Sequence, residues 1–132
     1  MCRFVIKMFN KIHHIAIIGT DYNKSKTFYV NTLGFKIIRE NYRPNKQDYK
    51  IDLKCGNSEI ELFIVKNAPN RVSNPEASGL RHLAFKVDSV SETVAELKKK
   101  GIECEPIRMD EFTHKAMTFF RDPDNLPIEI HE

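Results

Sequence analysis

Residues 11–19 carry the first clear strand pattern, with β-branched Ile15, Ile17 and Ile18. The spacing then lengthens. Tyr22, Ser25, Tyr29 and Leu33 recur at helical intervals, with Phe28 beside them, so residues 22–33 read as a helix. Thr20-Asp21 suits its N-cap, and Gly34 closes it. Strand character returns over 35–42, 48–55 and 59–65, with a Cys55-Gly56-Asn57 turn. Residues 67–79 hold Pro69, Pro75 and no period, and read as a connector. The same order then restarts. A strand is expected over 80–87. Ser89 caps a helix with Glu92 completing a capping box, and Val90, Val94 and Leu97 form its apolar face. Gly101 ends that helix. Strands follow at 102–107 and 116–120, then a turn at 121–125. A last strand covers 127–131, with Pro127 near its start where it is tolerated.

The recurrence extends to residue identities. At an offset of 68, HHIAI lies on RHLAF and NSEIEL on NLPIEI. The expected class is therefore α+β, with two tandem βαβββ modules at about 11–66 and 80–132 joined by the connector 67–79. Residues 1–10 are an N-terminal extension, and 11–132 form a single domain.

Each module carries one histidine in its first strand and one glutamate in its last: His14 with Glu61, and His82 with Glu129. Both separations are 47 residues. Alternation puts small Ala16 beside His14 and Ala84 beside His82 on the same faces, leaving room there. A lone histidine in an apolar strand is ordinarily a core residue. A lone glutamate between Ile60 and Leu62 is ordinarily the solvent-facing side of a half-buried strand. Duplication of both residue types at equal spacing points instead to a divalent-metal site of two imidazoles and two carboxylates, with open positions for substrate. Such ligands keep the ion Lewis acidic, and a carboxylate that leaves it can act as a base. His13, turned to the opposite face from His14, does not repeat. His114 and His131 do not either, and all three read as structural or solvated.

Composition narrows the remaining functions. The chain has 132 residues with 21 basic and 18 acidic side chains, a balance that argues against a nucleic-acid partner. The run Lys98-Lys99-Lys100 complements the helix dipole at a helix end. Arg39, Arg43, Arg81, Arg108 and Lys115 have the chemistry to hold a carboxylate or phosphate, but read as solvated charge. No apolar run approaches the roughly 18–20 residues of a membrane helix. Cys2, Cys55 and Cys104 form no CxxC pair, and free thiols suit a reducing compartment. MCRFVIKMFN lacks the apolar core of a signal peptide, so the cytoplasm is expected.

HHIAIIGTD, FYVNTLGF, EIELF, GLRHLAFKVD and FFRDPDNLPIEI together resemble the recurrent motifs of the vicinal-oxygen-chelate superfamily. Within it the chain is most similar to bacterial glyoxalase-I-like proteins. That resemblance implies paired βαβββ modules forming a cupped mixed sheet around Ni, Co or Zn, in a homodimer. The metal ligands carry over to His14, Glu61, His82 and Glu129. The implied activity is that of lactoylglutathione lyase: isomerising the thiol hemithioacetal of methylglyoxal through an enediolate, with Glu129 as principal base and Glu61 as its partner. Three-ligand relatives such as fosfomycin-resistance enzymes generally lack a carboxylate at the position of Glu61. Methylmalonyl-CoA epimerases usually carry glutamine there. An epimerase-like enediolate enzyme and a non-catalytic small-molecule-binding module are the alternatives.

Overall fold

The computed structural model describes residues 7–132. Cys2 and the first part of the expected N-terminal extension lie outside the described residues. The first repeat runs β1 (His14–Gly19), α1 (Tyr22–Lys26), β2 (Lys36–Arg43), β3 (Asp48–Cys55) and β4 (Ser58–Ile64). The second runs β5 (Leu83–Lys86), α2 (Val90–Lys99), β6 (Arg108–Met109), β7 (Ala116–Arg121) and β8 (Pro127–His131). Each repeat closes its own four-stranded sheet, in the orders β1-β4-β3-β2 and β5-β8-β7-β6. In both, the first strand lies parallel to the last and the other neighbours are antiparallel. This is the α+β arrangement of repeated βαβββ units expected from the sequence.

Period-2 alternation sorts each last strand into two faces. Ile60, Leu62 and Ile64 of β4 are buried, as are Ile128 and Ile130 of β8. The residues between them, Glu61 and Glu129 among them, point to the other side of each sheet. Asp21 caps α1 by accepting from Lys24 N at 2.9 Å. Ser89 Oγ caps α2 by accepting from Glu92 N at 3.2 Å, while Val90 N is taken by Glu132 Oε2. Gly34 and Gly101 follow the helical segments with φ of +82° and +86°, a conformation that costs any other residue.

Three expectations are corrected. The helix over 22–33 is α-helical only through Lys26. Thr27–Thr32 widens into a π-helical segment, with Leu33 N bonded to Phe28 O five residues back. Neighbouring Phe28 and Tyr29 are both buried there, which a regular helix, separating successive side chains by about 100°, does not favour. No strand forms over 102–107. Pro106 has no N–H to give to a ladder, and β6 begins only after it, two residues long. The strand expected from residue 80 starts at Leu83. Arg71 Nη2 takes the carbonyls of Leu80 and Arg81, both at 2.9 Å, so these residues close the connector instead.

The two repeats meet through the helical side of the first. Phe28 packs on Phe120 and Phe35 on Phe85, with ring centroids 6.2 and 5.4 Å apart. Tyr29 Oη donates to Asp122 Oδ2 at 2.7 Å. Thr20 donates to Asp124 from N at 3.1 Å and from Oγ1 at 2.5 Å. Burial pushes the Asp122 carboxyl up, although hydrogen bonds from Tyr29 and from the amides of Leu126 and Asp124 work against that rise. Burial beside Asp122 likewise pushes the Tyr29 hydroxyl well up. With the repeats joined on this side, β1 and β5 remain the edges of their sheets. None of the described helices is long and apolar enough to cross a membrane.

Candidate metal centre

Parallel register builds each half of the site. Ala16 pairs with Glu61 across β1 and β4, and Ala84 pairs with Glu129 across β5 and β8. Each histidine lies two positions before its alanine. The alanine methyl leaves the imidazole room to reach the carboxylate. His14 Nε2 stands 3.4 Å from Glu61 Oε2, and His82 Nε2 stands 3.1 Å from Glu129 Oε1. The equal spacing in sequence is thus an equal contact in space. His82 itself precedes β5, and its ring meets Phe119 edge-on at 5.0 Å. The carboxylates are well covered, with side chains 15% and 12% exposed for Glu61 and Glu129, whereas the His14 side chain is 41% exposed.

Within one chain the two pairs stay apart. Among the described residues, no group of three or more His, Cys, Asp and Glu side chains forms a metal-sized cluster. Each module therefore presents one His–Glu pair, with the histidine partly exposed to solvent in both.

The two halves differ around that shared motif. Lys50 Nζ lies 3.7 Å from Glu61 Oε1 and 3.0 Å from Asp52 Oδ1. Arg39 bridges Asp52 and Glu59 at 2.8 and 2.6 Å. Burial pushes the Asp52 carboxyl up, but Lys50 and Arg39 outweigh it and hold the group below its ordinary value. Arg43 forks onto Asp48 with contacts of 2.7 and 2.6 Å, and those hydrogen bonds hold the Asp48 carboxyl low. The arginines of the first sheet are thus committed to acids of the same sheet. Glu129 has His82 Nε2 beside it and, among the described residues, no lysine or arginine in reach.

The remaining histidines fall outside the two pairs. His13 does not turn away as expected from alternation. It lies just before β1, where strand alternation does not yet apply, and its Nδ1 sits 3.0 Å from Nδ1 of His14. His131 Nε2 lies 3.4 Å from Asp110 Oδ2. His114 is exposed in a turn with φ of +59°. Cys55 and Cys104 are free thiols, both pushed up by burial.

Beside His82 a cavity of about 270 Å³ opens between the connector and the second sheet. Arg71 and Arg81 reach it from the connector side, Arg108 from β6 and Arg121 from β7. Sequence reasoning left Arg81 and Arg108 among the solvated charges and passed over Arg71 and Arg121. One signal was available: Arg121 lies two positions beyond Phe119 on the same strand face.

The fold recurs among known proteins. A glyoxalase family protein from Enterococcus faecalis superposes with a TM-score of 0.90 at 56% identity, over 94% of this chain and 98% of that one. The uncharacterized protein YwkD of Bacillus subtilis is 55% identical over 126 residues, covering 95% of this chain and 98% of YwkD. YaeR of Escherichia coli is 50% identical over 123 residues, covering 92% and 95%. More distantly, human mitochondrial methylmalonyl-CoA epimerase is 28% identical over 96 residues, 70% of this chain and 54% of the epimerase. A lactoylglutathione lyase from Agrobacterium tumefaciens shares the fold, with a TM-score of 0.72 at 22% identity over 96% of each chain. Residues 11–130 match the family profile as well, so the repeated fold and its His–Glu pairs belong to a member of the Glyoxalase/Bleomycin resistance protein/Dioxygenase superfamily.

Proposed function

We propose that the chain is a metal-dependent isomerase of the glyoxalase I type, acting on a 2-oxoaldehyde–thiol hemithioacetal, and that two copies complete each metal centre. The observation that carries this reading is the pair of equivalent His–Glu contacts, one per repeat, each with its histidine partly exposed. His14 and Glu61 of one copy would face His82 and Glu129 of a second, giving two nitrogen and two oxygen donors. That donor set fits Ni, Co or Zn. The open edges support self-association. Strand β1 carries exposed Ile18, and the segment leading into it exposes Phe9 and Ile12, an apolar border that an isolated edge strand ordinarily avoids.

A bound divalent ion would supply Lewis-acid polarisation of neighbouring substrate oxygens. The protein's own part is proton transfer. The Glu129 carboxylate takes the proton from the carbon bearing the sulfur and the hydroxyl group. The electron pair of that C–H bond forms the C=C bond of the enediolate while the π pair of the neighbouring carbonyl moves onto its oxygen. The same proton then returns to the adjacent carbon, the hydroxyl proton passes to the neighbouring oxygen as the thioester carbonyl forms, and the product is a hydroxy thioester. Glu129 suits this role because buried Ile128 and Ile130 flank it and no lysine or arginine tethers it. Glu61, held by Lys50, serves as the partner base on the other side.

The likeness to methylmalonyl-CoA epimerase favours a second substrate for the same chemistry, the α-proton of a CoA ester. Protein loaded in turn with Ni²⁺, Co²⁺ and Zn²⁺ distinguishes the two when supplied with methylglyoxal–glutathione adduct and with methylmalonyl-CoA in heavy water. Conversion of the adduct to a thioester is expected. Metal-loaded protein that leaves the adduct untouched overturns the isomerase reading, and α-deuteration of the CoA ester alone puts the epimerase reading in its place.

A further inference from the structure

We infer that the cavity beside His82 is a seat for an oxyanion, a carboxylate or phosphate group carried by the substrate. The inference rests on the reading of His82 and Glu129 as half of the reaction centre, and gives that reading a substrate class.

Four arginines reach this one cavity, against two glutamates, Glu76 and Glu105. The excess is therefore cationic before His82 is counted. The guanidinium groups are also incompletely used. Arg81 Nε is held by Glu76 at 2.6 Å and Arg108 Nη1 by Glu105 at 3.1 Å, which leaves the other N–H groups of each without an acidic partner. Arg71 gives its Nη2 to two backbone carbonyls and to no acid. Arg121 has a single long contact, 3.5 Å to Asn125 O. The corresponding sheet of the first repeat is the internal control, because there Arg39 and Arg43 are matched by Asp52, Glu59 and Asp48. Guanidinium groups with N–H donors to spare, gathered around a concavity, are what planar, two-oxygen recognition of an anion requires.

Two details aim the site. Ser73, on the connector, is one of the lining residues, and its buried Oγ has no hydrogen-bond partner among the described residues, so it is left to answer a polar group seated there. Phe119 holds the His82 ring edge-on and lies under Arg108, whose guanidinium carbon is 5.7 Å from the ring centroid. An oxyanion seated among the arginines would therefore place the rest of its molecule toward His82 and Glu129. At about 270 Å³ the cavity falls below the roughly 300–1,000 Å³ of sites that enclose a drug-sized ligand, so it holds one charged end of a substrate.

Calorimetric titration of metal-free protein at low ionic strength with inorganic phosphate, and separately with succinate, tests the inference without any turnover. Saturable binding of at least one is expected, and the tighter of the two names the group. Arg121→Ala, whose side chain has no ion pair among the described residues to lose, should weaken that binding about tenfold. Lys98→Ala, an equal loss of charge on exposed α2, should leave it unchanged. Absence of binding by both anions, or equal binding by all three proteins, overturns the inference. Metal content measured on the same samples keeps the two readings apart. A chain that loads metal and ignores both anions loses only the oxyanion seat, and one that binds an anion but no metal loses only the isomerase reading.

Discussion

On the isomerase reading, Glu129→Gln is expected to lower turnover of the hemithioacetal by about 10²–10⁴-fold, the usual contribution of a positioned proton carrier. The substitution keeps the shape of the side chain and its place between Ile128 and Ile130, so the melting profile changes little. What disappears is an oxygen able to accept the substrate proton. Glu61→Gln costs less, because Glu61 shares its charge with Lys50 at 3.7 Å and is the tethered member of the pair. Steady-state rates on samples of known metal content separate loss of the base from loss of the ion. A Glu129→Gln protein as active as the parent at equal metal content removes Glu129 from the mechanism.

Asp122→Ala lowers stability by about 3 kcal/mol, read from urea denaturation. The change strips three donors of their acceptor: Tyr29 Oη, Asp124 N and Leu126 N. Tyr29 is fully buried, so its hydroxyl finds no water in exchange. The loss falls at the contact between the two repeats and loosens both sheets together. Asp122→Asn is milder and reports on pH. Burial raises the Asp122 carboxyl above its ordinary value, so the folded chain binds the proton more tightly than the unfolded chain. The stability this contributes is present below the unfolded value and is lost as pH rises through the folded one. In Asp122→Asn that part of the pH dependence is absent. Stability curves of the two proteins that run parallel across that window contradict the assignment.

The repeat was the most legible feature of the sequence because two physical constraints write it. A half-buried strand alternates, and a parallel partner fixes which residue each side chain meets, so Ala16 with Glu61 and Ala84 with Glu129 follow from one offset. Features set by a side chain reaching across the chain were not legible. Arg71 captures the carbonyls of Leu80 and Arg81 and shortens β5 from outside the strand's own pattern. Pro106 denies 102–107 a ladder donor, an effect that the apolar residues around it mask in the pattern. The oxyanion seat draws on residues 71, 81, 108 and 121, which share no period and lie on a connector and two strands. Spacing also set the four proposed ligands in one scheme. It gave no sign that a single chain keeps the pairs apart.

That separation makes assembly across two copies the central claim, and metal content after mixing tests it most directly. One double variant, His14→Ala with Glu61→Ala, lacks the first pair; the other, His82→Ala with Glu129→Ala, lacks the second. Each alone should hold essentially no metal. Co-refolded in equal amounts, they form mixed dimers with one intact centre, and random pairing restores about a quarter of the parent's metal. Recovery of no metal from the mixture, or full loading of either variant by itself, contradicts a centre shared between two copies.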